Sequence, residues 1–131
     1  MYTQQQRQTV INYANWLAET KWDTFSTITY RYNVKAKQNL RIMTGLEEQL
    51  KTIDKEFKLF WVTEFTNYNY NTHNHLLHQG GITREIEYYL RSQSLIGKHV
   101  KHEPYEKGAS IYVSKFICDD KTNYGIVQSG V

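Results

Sequence analysis

The 131-residue chain has one cysteine, Cys118, and one proline, Pro104. A single thiol excludes an internal disulfide framework and any zinc site built from cysteines of this chain; it suits a reducing, cytoplasmic setting. No stretch approaches the run of about 18 apolar residues that a membrane span requires. The opening MYTQQQRQTV lacks the basic-then-apolar order of a signal peptide. Repeats, low-complexity segments and long linkers are missing too, and the lone proline and seven glycines punctuate the chain without dividing it. The expectation is one domain over residues 1–131, long enough to bury a proper core, with no membrane partner.

What the chain does carry is a net charge of +3 and 15% aromatic residues, eleven of them tyrosines. Tyrosines in such number either pack a core and a half-buried surface or offer a platform on which unpaired bases stack, with Lys and Arg tracking phosphates. Composition alone favours the first reading.

Apolar spacing sets the order of elements. Val10, Ile11, Ala14 and Leu17 recur at helical intervals, TFSTITYRY (24–32) reads as a strand, and Leu40, Met43, Leu46, Leu50 and Ile53 mark one face of a helix over 39–55. FKLFWVTEFT (57–66) is apolar enough for a central strand, and Thr72–His78 follows as another before Gly80-Gly81 breaks it. A helix over 82–93, a short strand over 98–103 and a helix over 107–119 complete the order α-β-α-β-β-α-β-α. Hairpin-connected strands with helices on one face predict an α+β sandwich, not a doubly wound parallel sheet.

Three of the five histidines fall within THNHLLHQGG. On a strand, His73 and His75 share a face and Asn74 takes the other. Glu64 shares a face with Phe60 and Val62 on the preceding strand, so a hairpin of the two strands sets Glu64 beside the histidine pair. One carboxylate and two imidazoles leave positions open for water or a phosphate oxygen; the set suits Mn²⁺ or Mg²⁺ and leaves zinc open on chemistry alone. Taken by itself, a His-x-His pair is more often exposed or hydrogen-bonded to backbone. Downstream, Tyr112 and Lys115 stand three apart on a helix surface. A phenol can attack phosphorus and conserve the energy of the broken phosphodiester in a phosphotyrosine, and an ammonium can neutralise the scissile phosphate.

Taken together, TFSTITYR, FWVTEFT with HNHLL downstream, and ASIYVSKFI resemble, in order, the three motifs of the HUH endonucleases, the nuclease domains of rolling-circle replication initiators. The resemblance runs over roughly residues 24–118. It implies a central antiparallel sheet with helices packed on its faces, the histidines on an inner strand and the tyrosine on a covering helix. It implies Glu64, His73 and His75 as ligands of Mn²⁺ or Mg²⁺, Tyr112 as the nucleophile and Lys115 as its assistant. The implied reaction is site-specific nicking and rejoining of single-stranded DNA in replication of a phage, virus or plasmid, with host replication proteins and a second copy of the chain as further partners. Two positions depart from the pattern. Asn74 is polar where the family has an apolar residue, and Phe116 stands where some members carry a second tyrosine. A single-tyrosine transposase of the same chemistry and a non-catalytic single-strand-binding module are the competing readings. His78, His99 and His102 match no ligand position of the family.

Overall fold

The computed structural model describes residues 3–32, 34–65, 72–94, 96–114 and 123–129, without the side chains at 97–99 and 107. Helix α1 (Gln4–Ala18) is followed by β1 (Thr24–Tyr30), α2 (Ala36–Leu50), β2 (Lys58–Glu64), β3 (His73–Gln79), α3 (Thr83–Ser92), β4 (Ile96–Pro104), α4 (Lys107–Ser114) and β5 (Tyr124–Gln128). Thr3 starts α1 with a capping box: its hydroxyl accepts from the Gln6 amide at 3.1 Å, and Gln6 Oε1 accepts from the Thr3 amide at 2.8 Å.

The strands form one sheet in the order β4-β1-β3-β2-β5, every neighbouring pair antiparallel. From β1 to β4 the chain follows a β-α-β-β-α-β plan in which each helix carries the chain across an intervening strand. Strands β2 and β3 are buried along almost their whole length, on both faces, so both faces need a cover. On one side, Ile28, Tyr30, Leu59, Trp61 and Leu76 pack against Met43, Leu46 and Leu50 of α2 and Ile86 and Leu90 of α3. On the other, Phe60, Val62 and Leu77 pack against Leu17 of α1, Trp22, and Ala109 and Val113 of α4. The α+β class and the antiparallel sheet are as the sequence implied. The one-face sandwich is not: a strand with apolar residues at consecutive positions exposes hydrophobic surface on both sides, and α1 and α4 cover the second.

Helix α2 runs over 36–50 and not 39–55. Leu40 is exposed and Asn39 faces the sheet, while Ile53 packs on the core from a turn beyond the helix. Asn39 is drawn inward by hydrogen bonds. The Tyr30 hydroxyl donates to Asn39 Oδ1 at 2.9 Å, and Asn39 Nδ2 donates to Thr63 Oγ1 at 2.7 Å and to Asn123 Oδ1 at 3.0 Å. Asn74 completes this buried network by accepting from the Thr63 hydroxyl at 2.7 Å and donating to Asn39 Oδ1 at 3.0 Å. At the end of β3, Gly80 has φ +100, and a Cβ there would meet the Glu56 carbonyl and Phe57 Cα, so the break in the strand requires glycine. Among the described residues no helix is long and apolar enough to cross a membrane.

Candidate active site

Glu64 is the register partner of His73, and Val62 is the register partner of His75. The alternation of a pleated strand puts all four on one face of the sheet, the face covered by α1 and α4. That arrangement follows the sequence reading: His73 and His75 point together, Glu64 lies beside them, and Asn74 faces the opposite core. Helix α4 then sets Tyr112 over the pair, its ring 5.2 Å from the His75 ring between centroids and perpendicular to it at 89°. Phe25 packs against both, 6.0 Å from His75 and 6.1 Å from Tyr112. These side chains line an open cleft of about 610 Å³, together with Thr27, Thr29, Val100, Lys101 and Glu103.

His75 Nε2 lies 2.9 Å from Glu64 Oε1. Burial holds the His75 imidazole below the usual histidine range, although the Glu64 hydrogen bond and charge pull it the other way. The ring is therefore neutral near pH 7, and the contact is a neutral N–H donating to a carboxylate and not an ion pair. Its other nitrogen, Nδ1, is 3.3 Å from Thr27 Oγ1, and His73 Nδ1 is 2.8 Å from Thr29 Oγ1. Thr27 and Thr29 are the register partners of His75 and His73. Each threonine holds the Nδ1 edge of its ring, the place that the outer partners of metal-bound histidines take. This pair was not singled out in the sequence, although the alternation Phe25, Thr27, Thr29 in TFSTITYR carried the signal.

Two of the three donors stand at a spacing that a hard divalent ion would accept. Glu64 Oε1 and His75 Nε2 are as far apart as neighbouring ligands of an ion bound at about 2.1 Å. The rings of His73 and His75 lie nearly parallel, 18° apart with centroids separated by 6.5 Å. Among the described residues no group of three His, Cys, Asp or Glu side chains is placed so as to hold a metal ion. The His75–Glu64 contact is formed, and the His73 ring lies beside it.

Tyr112 is 38% exposed and lines the cleft. Burial, and then the charge of Glu64, hold the phenol above its usual range. A cation at Glu64 would remove the second cause. Lys115 and Phe116 lie outside the described residues, so among the described lining residues Lys101 is the one lysine or arginine. Lys101 is ion-paired with Glu103 at 2.7 Å.

Two of the remaining histidines form a separate cluster on the opposite face. Ser26 Oγ lies 2.8 Å from His78 Nε2 and 2.6 Å from His102 Nδ1, and His102 Nε2 lies 3.5 Å from Glu87 Oε1. Ser26 and His78 are fully buried beneath α3, beyond the reach of a substrate, so the cluster ties β1, β3 and β4 together. The His99 side chain lies outside the described residues. No family model, no curated protein and no solved structure matches this chain.

Proposed function

We propose that the chain is a metal-dependent endonuclease that nicks and rejoins single-stranded DNA through a covalent bond to Tyr112. The observation that carries this reading is the convergence of three elements on one open cleft: a carboxylate from β2, two imidazoles from β3 and an exposed phenol from α4. Each of these groups alone is common. Together they put a nucleophile and a candidate ligand set around one space, which are the parts that phosphoryl transfer to tyrosine uses.

Glu64, His73 and His75 would hold Mn²⁺ or Mg²⁺, with Thr27 and Thr29 keeping the imidazoles in place. When bound, the ion would supply Lewis acidity toward the scissile phosphate and would lower the cost of a phenolate nearby. Phe25 and His75 pack against the Tyr112 ring and hold it at the cleft. Tyr112 Oη forms a bond to phosphorus as the bond from phosphorus to the 3′ oxygen breaks. The phenol gives up its proton, and the departing oxygen takes one up to become a 3′-hydroxyl. The 5′ end stays on the enzyme as a phosphotyrosine, and the reverse attack by a 3′-hydroxyl reseals the strand. The order and content of the three motifs support assigning this chemistry to replication initiation in a phage, virus or plasmid.

The test is incubation with single-stranded DNA and Mn²⁺, read on a denaturing gel. The wild type forms a DNA adduct that survives denaturation, and Tyr112→Phe, which removes one oxygen and keeps the ring, forms none while still binding DNA and Mn²⁺. Cleavage without an adduct would assign the attack to water; an adduct on Tyr112→Phe would assign it to a different residue.

A further inference from the structure

The two edges of the sheet differ. Strand β4 carries Lys101 and Glu103, ends on Pro104 and has a register irregularity opposite Ile28 and Tyr30. Charges, proline and irregularity are the devices by which natural sheets prevent edge-to-edge pairing. Strand β5, Tyr-Gly-Ile-Val-Gln, has none of them. Its apolar surroundings are open as well: Trp16, Tyr124 and Ile126 are each 46% exposed. A groove of about 360 Å³ follows this edge, with Trp16 on one side and Glu47 of α2 and Lys51 just past its end on the other.

The hydrogen-bond phase of β5 shows what the edge presents. The Thr63 amide donates to the Asn123 carbonyl at 2.9 Å and the Ser129 amide to the Phe57 carbonyl at 3.0 Å. In an antiparallel ladder the direction alternates residue by residue. Gly125 and Val127 therefore point their amides and carbonyls at β2, while Tyr124, Ile126 and Gln128 point theirs outward. Among the described residues no strand lies beyond them.

We infer that β5 is the interface for a second copy of this chain, paired antiparallel about a two-fold axis through Ile126. The outward groups are self-complementary in that register. Ile126 faces Ile126 of the partner subunit, Tyr124 faces Gln128 of the partner subunit, and the reverse pair completes a ladder of six hydrogen bonds. The charges also match. Helix α2 runs alongside β5, with Asn39 bonded to Asn123 and Glu47 lying against Gly125, so Lys51, one turn further on, lies toward Gln128. The two-fold axis brings Lys51 of one protomer toward the partner's Glu47. It also sets the two Trp16 side chains on the same side of a continuous ten-stranded sheet, over Ile126 and its copy. Both clefts then open on that side, roughly 25–30 Å apart by strand spacing and rise. A contact one strand long lies at the small end of specific interfaces, so the dimer is reversible, with a Kd on the order of micromolar.

Sedimentation velocity of the full chain over a wide concentration range is the test. The wild type passes reversibly from monomer to dimer, and Ile126→Lys, which sets two ammonium groups opposite each other at an exposed position, raises Kd about tenfold or more. Crosslinking reads the register. In a Cys118→Ser background, a thiol crosslinker spanning under about 10 Å joins Ile126→Cys to itself but not Gln128→Cys, whose copies lie about 14 Å apart. A monomer at every concentration, a dimer indifferent to Ile126→Lys, or crosslinking at 128 and not at 126 would overturn the proposal. DNA nicking by Tyr112 is read separately, so either result stands without the other.

Discussion

Asn74→Val is the most direct test of how the site is held. The substitution gives β3 the apolar residue that the resembled family has between its histidines, and it keeps a side chain of similar size with good strand propensity. In this chain it should nevertheless destabilise. Asn74 accepts from the Thr63 hydroxyl and donates to Asn39 Oδ1, and all three side chains are fully buried. Removing it strands the Thr63 proton, which costs about 1–3 kcal/mol, and deletes a further hydrogen bond worth about 1 kcal/mol. Asn39 Oδ1 keeps the Tyr30 hydroxyl, so the loss stops there, at about 3 kcal/mol. That is a large share of the roughly 5–15 kcal/mol of a typical domain. Adding Thr63→Val removes the stranded proton, and Asn39 Nδ2 retains Asn123, so the double mutant should recover about 1–2 kcal/mol relative to additivity. Urea unfolding followed by tryptophan fluorescence gives both numbers, with buried Trp61 as a reporter. A single-mutant cost under about 0.5 kcal/mol, or strict additivity of the pair, would refute the network as a source of stability.

Three further outcomes are expected. Thr29→Val frees the His73 ring and should weaken Mn²⁺ binding about 10–100-fold by calorimetry without unfolding the protein. Burial, with His102 adding to it, holds His78 down at about 4. Its folded pKa is below the unfolded value, so its contribution is complete above about pH 6.5 and is lost as pH falls toward 4; metal-free protein should lose about 3 kcal/mol over that window in urea titrations, and a pH-independent midpoint would contradict it. Single-stranded DNA should be cut in preference to the same sequence as duplex, with binding that weakens as salt rises; equal cleavage of a relaxed duplex would argue against an open cleft that takes an unpaired strand.

Much of the site was legible because strand geometry has a short, strict period. Two histidines one residue apart must share a face, and Glu64 in phase with Phe60 and Val62 must lie on the face that meets them. Helix α2 was less legible. Counting apolar residues selects Leu40 and Ile53, but the buried position is Asn39, an amide whose partners Tyr30, Thr63 and Asn74 come from other strands. Hydrogen bonds made across the sheet leave no trace in local periodicity. Strand β5 was not anticipated because five residues with a central Ile-Val and a glycine give too little alternation to separate a strand from a loop. Tyr112 was found through its motif, since by packing alone it resembles the chain's other aromatic residues. Its approach to His75 depends on α4 crossing the second face of the sheet.

The threonines behind the histidines have a consequence for proton traffic. While His75 Nε2 donates to Glu64, Nδ1 has only a lone pair, and the Thr27 hydroxyl must donate to it. Were Nε2 to turn its lone pair to the proposed cation, Nδ1 would have to carry the proton, and the same hydroxyl oxygen would accept it. A hydroxyl is ambivalent, so a rotation of the O–H bond suffices and no side chain has to leave its place. The imidazole is neutral before and after, so the exchange is a swap of tautomers with no net release of a proton from His75. Ion affinity should therefore be flat with pH wherever the two imidazoles are neutral and Glu64 is ionised. A backbone carbonyl in place of Thr27 would lock one tautomer, whereas the hydroxyl lets the ring serve both.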